Sequence, residues 1–301
     1  MDELIIGTRG DRLSIWQANH IKQLLKHHYP DMNIRMKIIK TRGDQLSEYP
    51  LSNLDRKGLF TAELEHQLLN NQIQMAVHNA LNIDISLAPG LTLAGYPKRQ
   101  SAEEAFVSYK WAELDELPPS PVIATSNILR RIQFHQKYPK TRFVGLQGHF
   151  NSRIFKLKNQ KWDGLITEYA NVERTSVQKV HVITFDVESF VPSIGQGAIG
   201  IEISTYNDEI RELLEPILDK ETNICVSLER KIYRDLFRLN DRLIIGANVR
   251  MEDNTIKIVV FVASPEGKPS LKKTKKGKPE EADKLITALV DAFKAENVAD
   301  W

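Results

Sequence analysis

The sequence has little cysteine and no long apolar run. Its 301 residues include one cysteine, Cys225, so no disulfide can form within the chain, which suits a reducing compartment. No stretch approaches the roughly 20 apolar residues of a membrane span. The first residues show no basic segment followed by an apolar one, so we expect no signal peptide. These absences predict a cytoplasmic protein that does not enter a membrane.

The sequence also has no large excess of positive or of negative charge. Lysine and arginine number 41 and aspartate and glutamate 39, a net charge of +2, so bulk charge gives no reason to expect nucleic acid. The eight histidines form no H-E-x-x-H pattern and no C-x-x-C pair is present, so no metal site is predicted. Residues 268–278 contain six lysines but no aromatic residue, which favours a solvated hairpin or loop.

Short apolar runs alternate with amphipathic stretches through most of the chain. This alternation is typical of α/β domains with mixed sheets, and the length fits two or three domains. Polar segments at 95–100 and 192–197, and the start of a helix–strand–strand–helix tail near 220, predict the boundaries. Gly195-x-Gly197-x-x-Gly200 matches a dinucleotide fingerprint, but it precedes a strand-like run, so we expect a tight interdomain turn instead.

Two segments combine a strand end, small polar residues and a helix start. The first is Gly7-Thr8-Arg9, and the second is Thr125-Ser126-Asn127, which leads into a helix with Arg130 and Arg131. Such a helix start offers free N–H groups and a positive dipole end to an anion, and arginines can hold carboxylates with two hydrogen bonds. Ordinary N-capping with surface arginines explains the pattern equally well. Arg153 is a third basic position of this kind.

Several segments, taken in order, resemble one protein family. They are Ile6-Gly7-Thr8-Arg9, Leu13-Ser14-Ile15-Trp16-Gln17-Ala18, Thr41-Arg42-Gly43-Asp44, Lys57-Gly58-Leu59-Phe60, Glu63-Leu64-Glu65, Ala76-Val77-His78, Leu129-Arg130-Arg131, Ser193-Ile194-Gly195-Gln196-Gly197-Ala198 and Glu229-Arg230. This set resembles the porphobilinogen deaminases (hydroxymethylbilane synthases). The resemblance implies two domains like those of periplasmic binding proteins, 1–96 with 197–215 and 100–190, and a small C-terminal α+β domain, 219–301.

The resemblance also implies a chemistry. The family condenses four porphobilinogens into a linear tetrapyrrole, releasing ammonia, on a dipyrromethane cofactor tethered through a cysteine thioether in the third domain. Arginines of the cleft between the first two domains hold the acetate and propionate groups. By position, the binding residues here are Arg9, Lys57, Thr125, Ser126, Arg130, Arg131, Arg153, Arg174 and Gln196. The implied partner is a small polycarboxylate, and we expect a monomer.

Several positions depart from the family's pattern. His-Ser-Met-Lys-Asp-Val-Pro becomes His78-Asn79-Ala80-Leu81-Asn82-Ile83-Asp84, which puts Asn82 at the catalytic aspartate and Leu81 at the neighbouring lysine. The Leu-Glu-Gly-Gly-Cys loop becomes Leu236-Phe237-Arg238-Leu239-Asn240, which has no sulfur. Gln147 replaces an arginine, and Asp11 replaces a small hydroxyl residue near the anion site.

These departures predict impaired catalysis. A neutral amide cannot offset the cationic azafulvene left when ammonia departs, and losing one preorganised electrostatic partner costs about 3–4 kcal/mol. We therefore expect a protein that binds a carboxylate-bearing pyrrole or other polyanion without efficient synthesis. Two alternatives stay open. One is an active synthase with a relocated or non-covalent dipyrromethane, helped by Asp84 or Cys225, and the other is a partner-binding scaffold.

Overall fold

The computed structural model describes residues 3–45, 58–146 and 148–301. Lys57 and Gln147, both singled out in the sequence, lie outside these residues. The strands, in chain order, are β1 Leu4–Thr8, β2 Ile34–Ile38, β3 Met75–Asn79, β4 Leu91–Gly95, β5 Glu104–Ser108, β6 Val122–Ala124, β7 Arg142–Val144, β8 Gly164–Glu168, β9 His181–Phe185, β10 Ile199–Ser204, β11 Ile244–Glu252, β12 Thr255–Ala263 and β13 Ser270–Gly277. The α-helices are α1 Arg12–His28, α2 Arg42–Gln45, α3 Ala62–Leu69, α4 Ile128–Lys137, α5 Phe150–Asn159, α6 Tyr169–Thr175, α7 Asp208–Leu214, α8 Lys220–Phe237 and α9 Ala282–Lys294.

The chain divides into two compact units. Unit 1 comprises Met1–Gln100, Gln147–Arg153 and Gly197–Asn223, and unit 2 comprises Ser101–Leu146, Ile154–Gln196 and Ile224–Trp301. The three sheets use residues 4–95 with 199–204, then 104–185, then 244–277. The predicted boundaries of three domains stay a prediction. Among the described residues, no helix combines the length and the apolar character that crossing a bilayer requires.

Unit 1 is built on a mixed sheet with the strand order β2-β1-β3-β10-β4. Strands β1, β2 and β3 are parallel, and β10 runs antiparallel to both β3 and β4. Helix α1 forms because Ala18, Ile21 and Leu25 recur on one face, where all three are fully buried. They pack with Leu4 and Ile201 of the sheet, and this packing fixes the position of α1 relative to β1.

Unit 2 contains two sheets. The first is mixed, with the order β7-β6-β8-β5-β9, and the second is the antiparallel sheet β11-β12-β13. Helices α8 and α9 cover the second sheet through an apolar cluster that includes Ile232, Ile258 and Phe293. The predicted α/β class with mixed sheets is therefore confirmed.

Strand β9 and helices α2 and α6 escaped the sequence analysis, and the predicted helix–strand–strand–helix tail contains a third strand, β13. Strand β9 is an edge strand whose residues are mostly exposed or half-buried, so it lacks a clear apolar alternation. Helix α6 follows β8 without a linker and has seven residues, too few to display a helical period. The lysine-rich segment forms the predicted hairpin, because β13 pairs antiparallel with β12 at an edge of its sheet. Lysines on such an edge discourage pairing with another chain.

A buried carboxylate links α8 to two neighbouring segments of unit 2. Glu229 is fully buried, and its Oε2 accepts a hydrogen bond of 2.8 Å from the N–H of Gly195. Its Oε1 accepts one of 2.9 Å from the N–H of Val249 in β11. The turn at Gly195 has a φ of 68°, a left-handed conformation that glycine adopts without strain. Glu229 thus stabilises both the turn and strand β11, an edge strand of the second sheet.

Replacing Glu229 by alanine should leave two buried N–H groups without an acceptor. We expect E229A to lower the free energy of unfolding by about 2–4 kcal/mol, and E229Q, which keeps one acceptor oxygen, by less. Urea denaturation measures both values. E221A, which changes an exposed glutamate of the same helix, serves as the control and should cost about 1 kcal/mol or less. Equal effects of E229A and E221A would contradict this assignment.

Candidate functional site

In unit 1, Arg9 follows directly after β1 and is held by a carboxylate. Its Nε and Nη2 atoms lie 3.1 and 2.5 Å from Oδ1 of Asp44, and its guanidinium carbon lies 4.4 Å from the ring centroid of Phe60. Burial opposes ionisation of Asp44, but hydrogen bonds from Arg9 and Thr41 and the charge of Arg9 outweigh it and hold the pKa of Asp44 below its usual value. Arg9 is therefore a fixed, half-covered cation.

Two further groups surround this arginine. Atoms of Asp11, Asp44 and His149 lie within 4.8 Å of one another, an arrangement that could hold a metal ion. However, Arg9 bonds to Asp44, and Asp11 accepts hydrogen bonds from the start of α1. The carboxylates are thus already engaged, and we assign this cluster to the arginine.

The segment that carries Asn82 is a single 3₁₀ turn, Ala80–Asn82, after β3. The side chain of Asn79 caps the turn by accepting a 3.2 Å hydrogen bond from the N–H of Leu81. Asn82 itself is half-buried, and its equivalence to the family's aspartate stays a prediction. Two residues further along, Oδ2 of Asp84 accepts a 2.8 Å hydrogen bond from the N–H of Gly58.

A group of titratable side chains lies beside this turn. Nε2 of His78 is 3.1 Å from Oε2 of Glu202, and both residues are buried. Burial raises the pKa of Glu65, and the negative charges of Glu202 and Asp84 raise it further. The surroundings of Glu65 therefore disfavour additional negative charge.

In unit 2, the end of β6 and the start of α4 bring together four of the nine predicted binding residues. Asn127 caps α4 by accepting a 3.2 Å hydrogen bond from the N–H of Arg130. The hydroxyl of Ser126 donates to the carbonyl oxygen of Leu146 at 2.6 Å. Nε and Nη2 of Arg131 donate to the carbonyl oxygen of the buried Thr125 at 2.9 and 2.8 Å. Arg131 is half-buried, so part of its side chain faces solvent.

Arg130 is committed to a buried internal pair. Its Nε lies 2.7 Å from Oε1 of Glu104 in β5, and its Nη2 donates to Oε1 of Gln196 at 3.3 Å. Gln196 in turn donates from Nε2 to the carbonyl oxygen of Ala102 at 2.9 Å. Burial raises the pKa of Glu104, and the charge of Arg130 opposes this rise. Arg130 and Gln196 therefore act first as packing partners that join α4 to β5.

The two remaining arginines differ in exposure. Arg153 is half-buried, and its Nε donates to the carbonyl oxygen of Gly148 at 2.8 Å. Arg174 in α6 is 6% exposed, and burial lowers its pKa against the opposing charges of Glu168 and Glu173. Sequence reasoning missed Glu104 and Phe60, which contact Arg130 and Arg9, and His149, which lies near the carboxylates of Asp11 and Asp44. Only Phe60 carried a signal, since it stands in a segment that matches the family.

The loop at the family's cofactor anchor is occupied by internal hydrogen bonds. Nδ2 of Asn240 donates to the carbonyl oxygens of Trp301 and Ala299 at 2.7 and 3.4 Å, and its Oδ1 accepts from the N–H of Arg242 at 2.9 Å. The one cysteine, Cys225, belongs to α8, lies in the apolar cluster between this helix and the second sheet, and is 4% exposed. These residues do not fit a cofactor held through a thioether.

Taken together, the two units define an α/β protein with mixed five-stranded sheets and fixed arginines at strand ends and helix starts. The family described as "Porphobilinogen deaminase, dipyromethane cofactor binding domain" matches residues 4–212. Porphobilinogen deaminase of Chloroherpeton thalassium is 33% identical over 298 residues, covering 97% of this chain and 94% of its own. That of Chlorobaculum tepidum is 35% identical over 296 residues, covering 97% and 94%. The chain belongs to the porphobilinogen deaminase family of tetrapyrrole biosynthesis.

Solved structures show a more distant similarity. The methionine-binding protein MetQ is 12% identical, with a TM-score of 0.47, over 72% of this chain and 89% of its own. The periplasmic VFT2 domain of Bordetella pertussis BvgS is 12% identical, with a TM-score of 0.44, over 76% and 92%. At this distance the similarity carries no conclusion about ligands.

Measurements of stability can test whether Arg130 is a buried partner of Glu104. Removing Glu104 leaves a buried guanidinium without its carboxylate, so E104A should lower the free energy of unfolding by about 3–5 kcal/mol. The double variant E104L/R130M removes both charges and should cost much less. Urea denaturation measures all three proteins. K294A, which breaks an exposed ion pair, is the control and should change stability by about 1 kcal/mol or less. An E104A protein as stable as K294A would refute the pairing.

The pKa of Glu65 predicts a dependence of stability on pH. Because its folded-state pKa is raised above 4.5, its contribution to stability is full below that value and is lost as pH rises through the raised pKa. E65Q removes this loss. The melting temperature of E65Q minus that of wild type should therefore be larger at pH 7 than at pH 4.5. Thermal unfolding across this range measures the difference. E212Q, at an exposed position of unit 1, should show a constant difference, and the same constancy in E65Q would argue against the prediction.

Proposed function

We propose that this family member binds a carboxylate-bearing pyrrole or a related polyanionic small molecule and is impaired in tetrapyrrole synthesis. The observation that carries the proposal is the pair of amides, Asn82 and Asn240, at the positions of the family's carboxylate and thiol. Arg9, Arg131 and Arg153 keep the basic positions that hold carboxylates in the family. The expectation that binding occurs in an interdomain cleft stays a prediction.

The surroundings of Asn82 support the loss of catalysis. The reaction of the family needs a negative charge beside a pyrrolic cation, and an amide supplies dipoles only. Asp84 is the nearest carboxylate in sequence, but its Oδ2 is engaged by the N–H of Gly58 at 2.8 Å. A shift of about 1 Å in a reacting group already costs roughly 100-fold in rate. We therefore propose that Asp84 does not replace the missing carboxylate.

The surroundings of Asn240 and Cys225 support the absence of a covalent cofactor. Asn240 has no sulfur, and its Nδ2 donates hydrogen bonds to the carbonyl oxygens of Ala299 and Trp301. Cys225 lies on the buried side of α8, in the apolar core, where thiols are typically inert. We propose that neither residue carries a dipyrromethane.

Calorimetry with porphobilinogen tests the binding half of the proposal. We expect the wild-type chain to bind, and R131Q to bind about tenfold or more weakly, because glutamine offers no charge-assisted hydrogen bonds. R234Q removes an exposed arginine of α8 and should leave the affinity unchanged. No heat from the wild-type chain would sink the binding proposal and favour a partner-binding scaffold.

Two further measurements test the catalytic half. The intact mass of the purified protein should equal that of the unmodified chain, and incubation with porphobilinogen should release no linear tetrapyrrole, detected as uroporphyrin. The variant N82D/N240C, which restores both missing groups, is the matched comparison. Turnover by the wild-type chain would show instead an active synthase with a relocated or non-covalent cofactor.

A further inference from the structure

The carboxylate of Asp11 fills the start of α1. Its Oδ1 accepts hydrogen bonds of 3.1 Å from the N–H groups of both Leu13 and Ser14, and its Oδ2 accepts one of 2.5 Å from the hydroxyl of Ser14. Helix α1 has 17 residues, and these N–H groups have no partner within it. The side chain of Asp11 is 7% exposed, so little room is left for another anion at these donors.

The same carboxylate also faces the nearest cation. Its Oδ2 lies 3.9 Å from Nη2 of Arg9, whose other partner is Asp44 at 2.5 Å. One guanidinium therefore serves two carboxylates, Asp11 and Asp44, so its single positive charge is already shared. A third carboxylate, brought by a ligand, would meet repulsion here instead of attraction.

We infer that Asp11 is a built-in carboxylate that occupies the place an external carboxylate would take, and that it determines which ligands this part of unit 1 accepts. The inference rests on the proposed function, since it specifies which positions hold the charges of the ligand. Arg9 becomes a structural partner of Asp11 and Asp44, and the ligand's carboxylates depend on the other basic residues.

A second aspartate shows that capping alone does not require this arrangement. Asp219 precedes α8, and its Oδ1 accepts hydrogen bonds from the N–H and the hydroxyl of Thr222 at 2.7 and 2.6 Å. Among the ion pairs of the described residues, none joins Asp219 to a guanidinium, whereas Arg9 faces Asp11. Asp219 therefore provides a matched control with the same charge and the same capping role.

Calorimetry with porphobilinogen on the full chain tests the inference through D11S. Serine keeps a capping oxygen but removes the charge, so the fold should persist, as thermal unfolding will show. We expect D11S to bind at least tenfold more tightly than wild type, which corresponds to about 1.4 kcal/mol. D11N, which removes the charge but keeps the bulk, should gain less, and D219S should gain nothing. A pyrrole without carboxylates should bind all four proteins alike.

The outcomes separate this inference from the proposed function. If D11S and D11N bind porphobilinogen no more tightly than wild type, the inference is wrong, and binding by wild type would still uphold the proposed function. If wild type does not bind but D11S does, the inference stands and the proposed function fails. An equal gain in affinity for porphobilinogen in D219S and D11S would show that the effect depends only on the net charge of the protein, and it would overturn the inference.

Discussion

The pairing of buried guanidinium groups with carboxylates of the same unit is the interaction on which this structure depends. Arg130 and Glu104 join α4 to β5 at 2.7 Å, and Arg9 and Asp44 join the end of β1 to the segment after β2. A buried charge without such a partner costs several kcal/mol, so Arg9 and Arg130 each require an acidic residue from a distant segment. At the helix starts that look like anion sites, Arg9 and Arg130 therefore serve first to connect segments of the fold.

Because of this constraint, the arginines at the family's binding positions are not all available to a ligand in this family member. Arg130 is buried with Glu104 and Gln196, whereas Arg131 and Arg153 are half-buried. The binding surface we propose is thus narrower than the set of basic residues that the family pattern implies. Asn82 and Asn240, to which we attribute the proposed loss of synthesis, take no part in these pairs, since Asn82 sits in a short turn and Asn240 bonds to main-chain carbonyls.

Much of the fold could be predicted because its signals are local. Strand β6 and helix α4 lie where apolar runs and helical periodicity place them, and Asn127 caps α4 as its position before the periodic segment suggests. Strand β9 and helix α6 were missed, because an exposed edge strand and a seven-residue helix carry too little periodicity. Predicted site residues such as Thr125, Ser126 and Arg131 do meet, because one strand end and one helix start carry all three.

The sequence by itself determined the composition, the α/β class, the family, and the absence of a sulfur and a carboxylate at two positions. These follow from residue identity and from short-range pattern. Only the tertiary structure decided the partner of each arginine, because Glu104 stands 26 residues from Arg130 and Asp44 stands 35 from Arg9. No local pattern encodes such pairs. They arise when packing of the sheets brings distant segments together and excludes water, so that each buried charge must find a counter-charge.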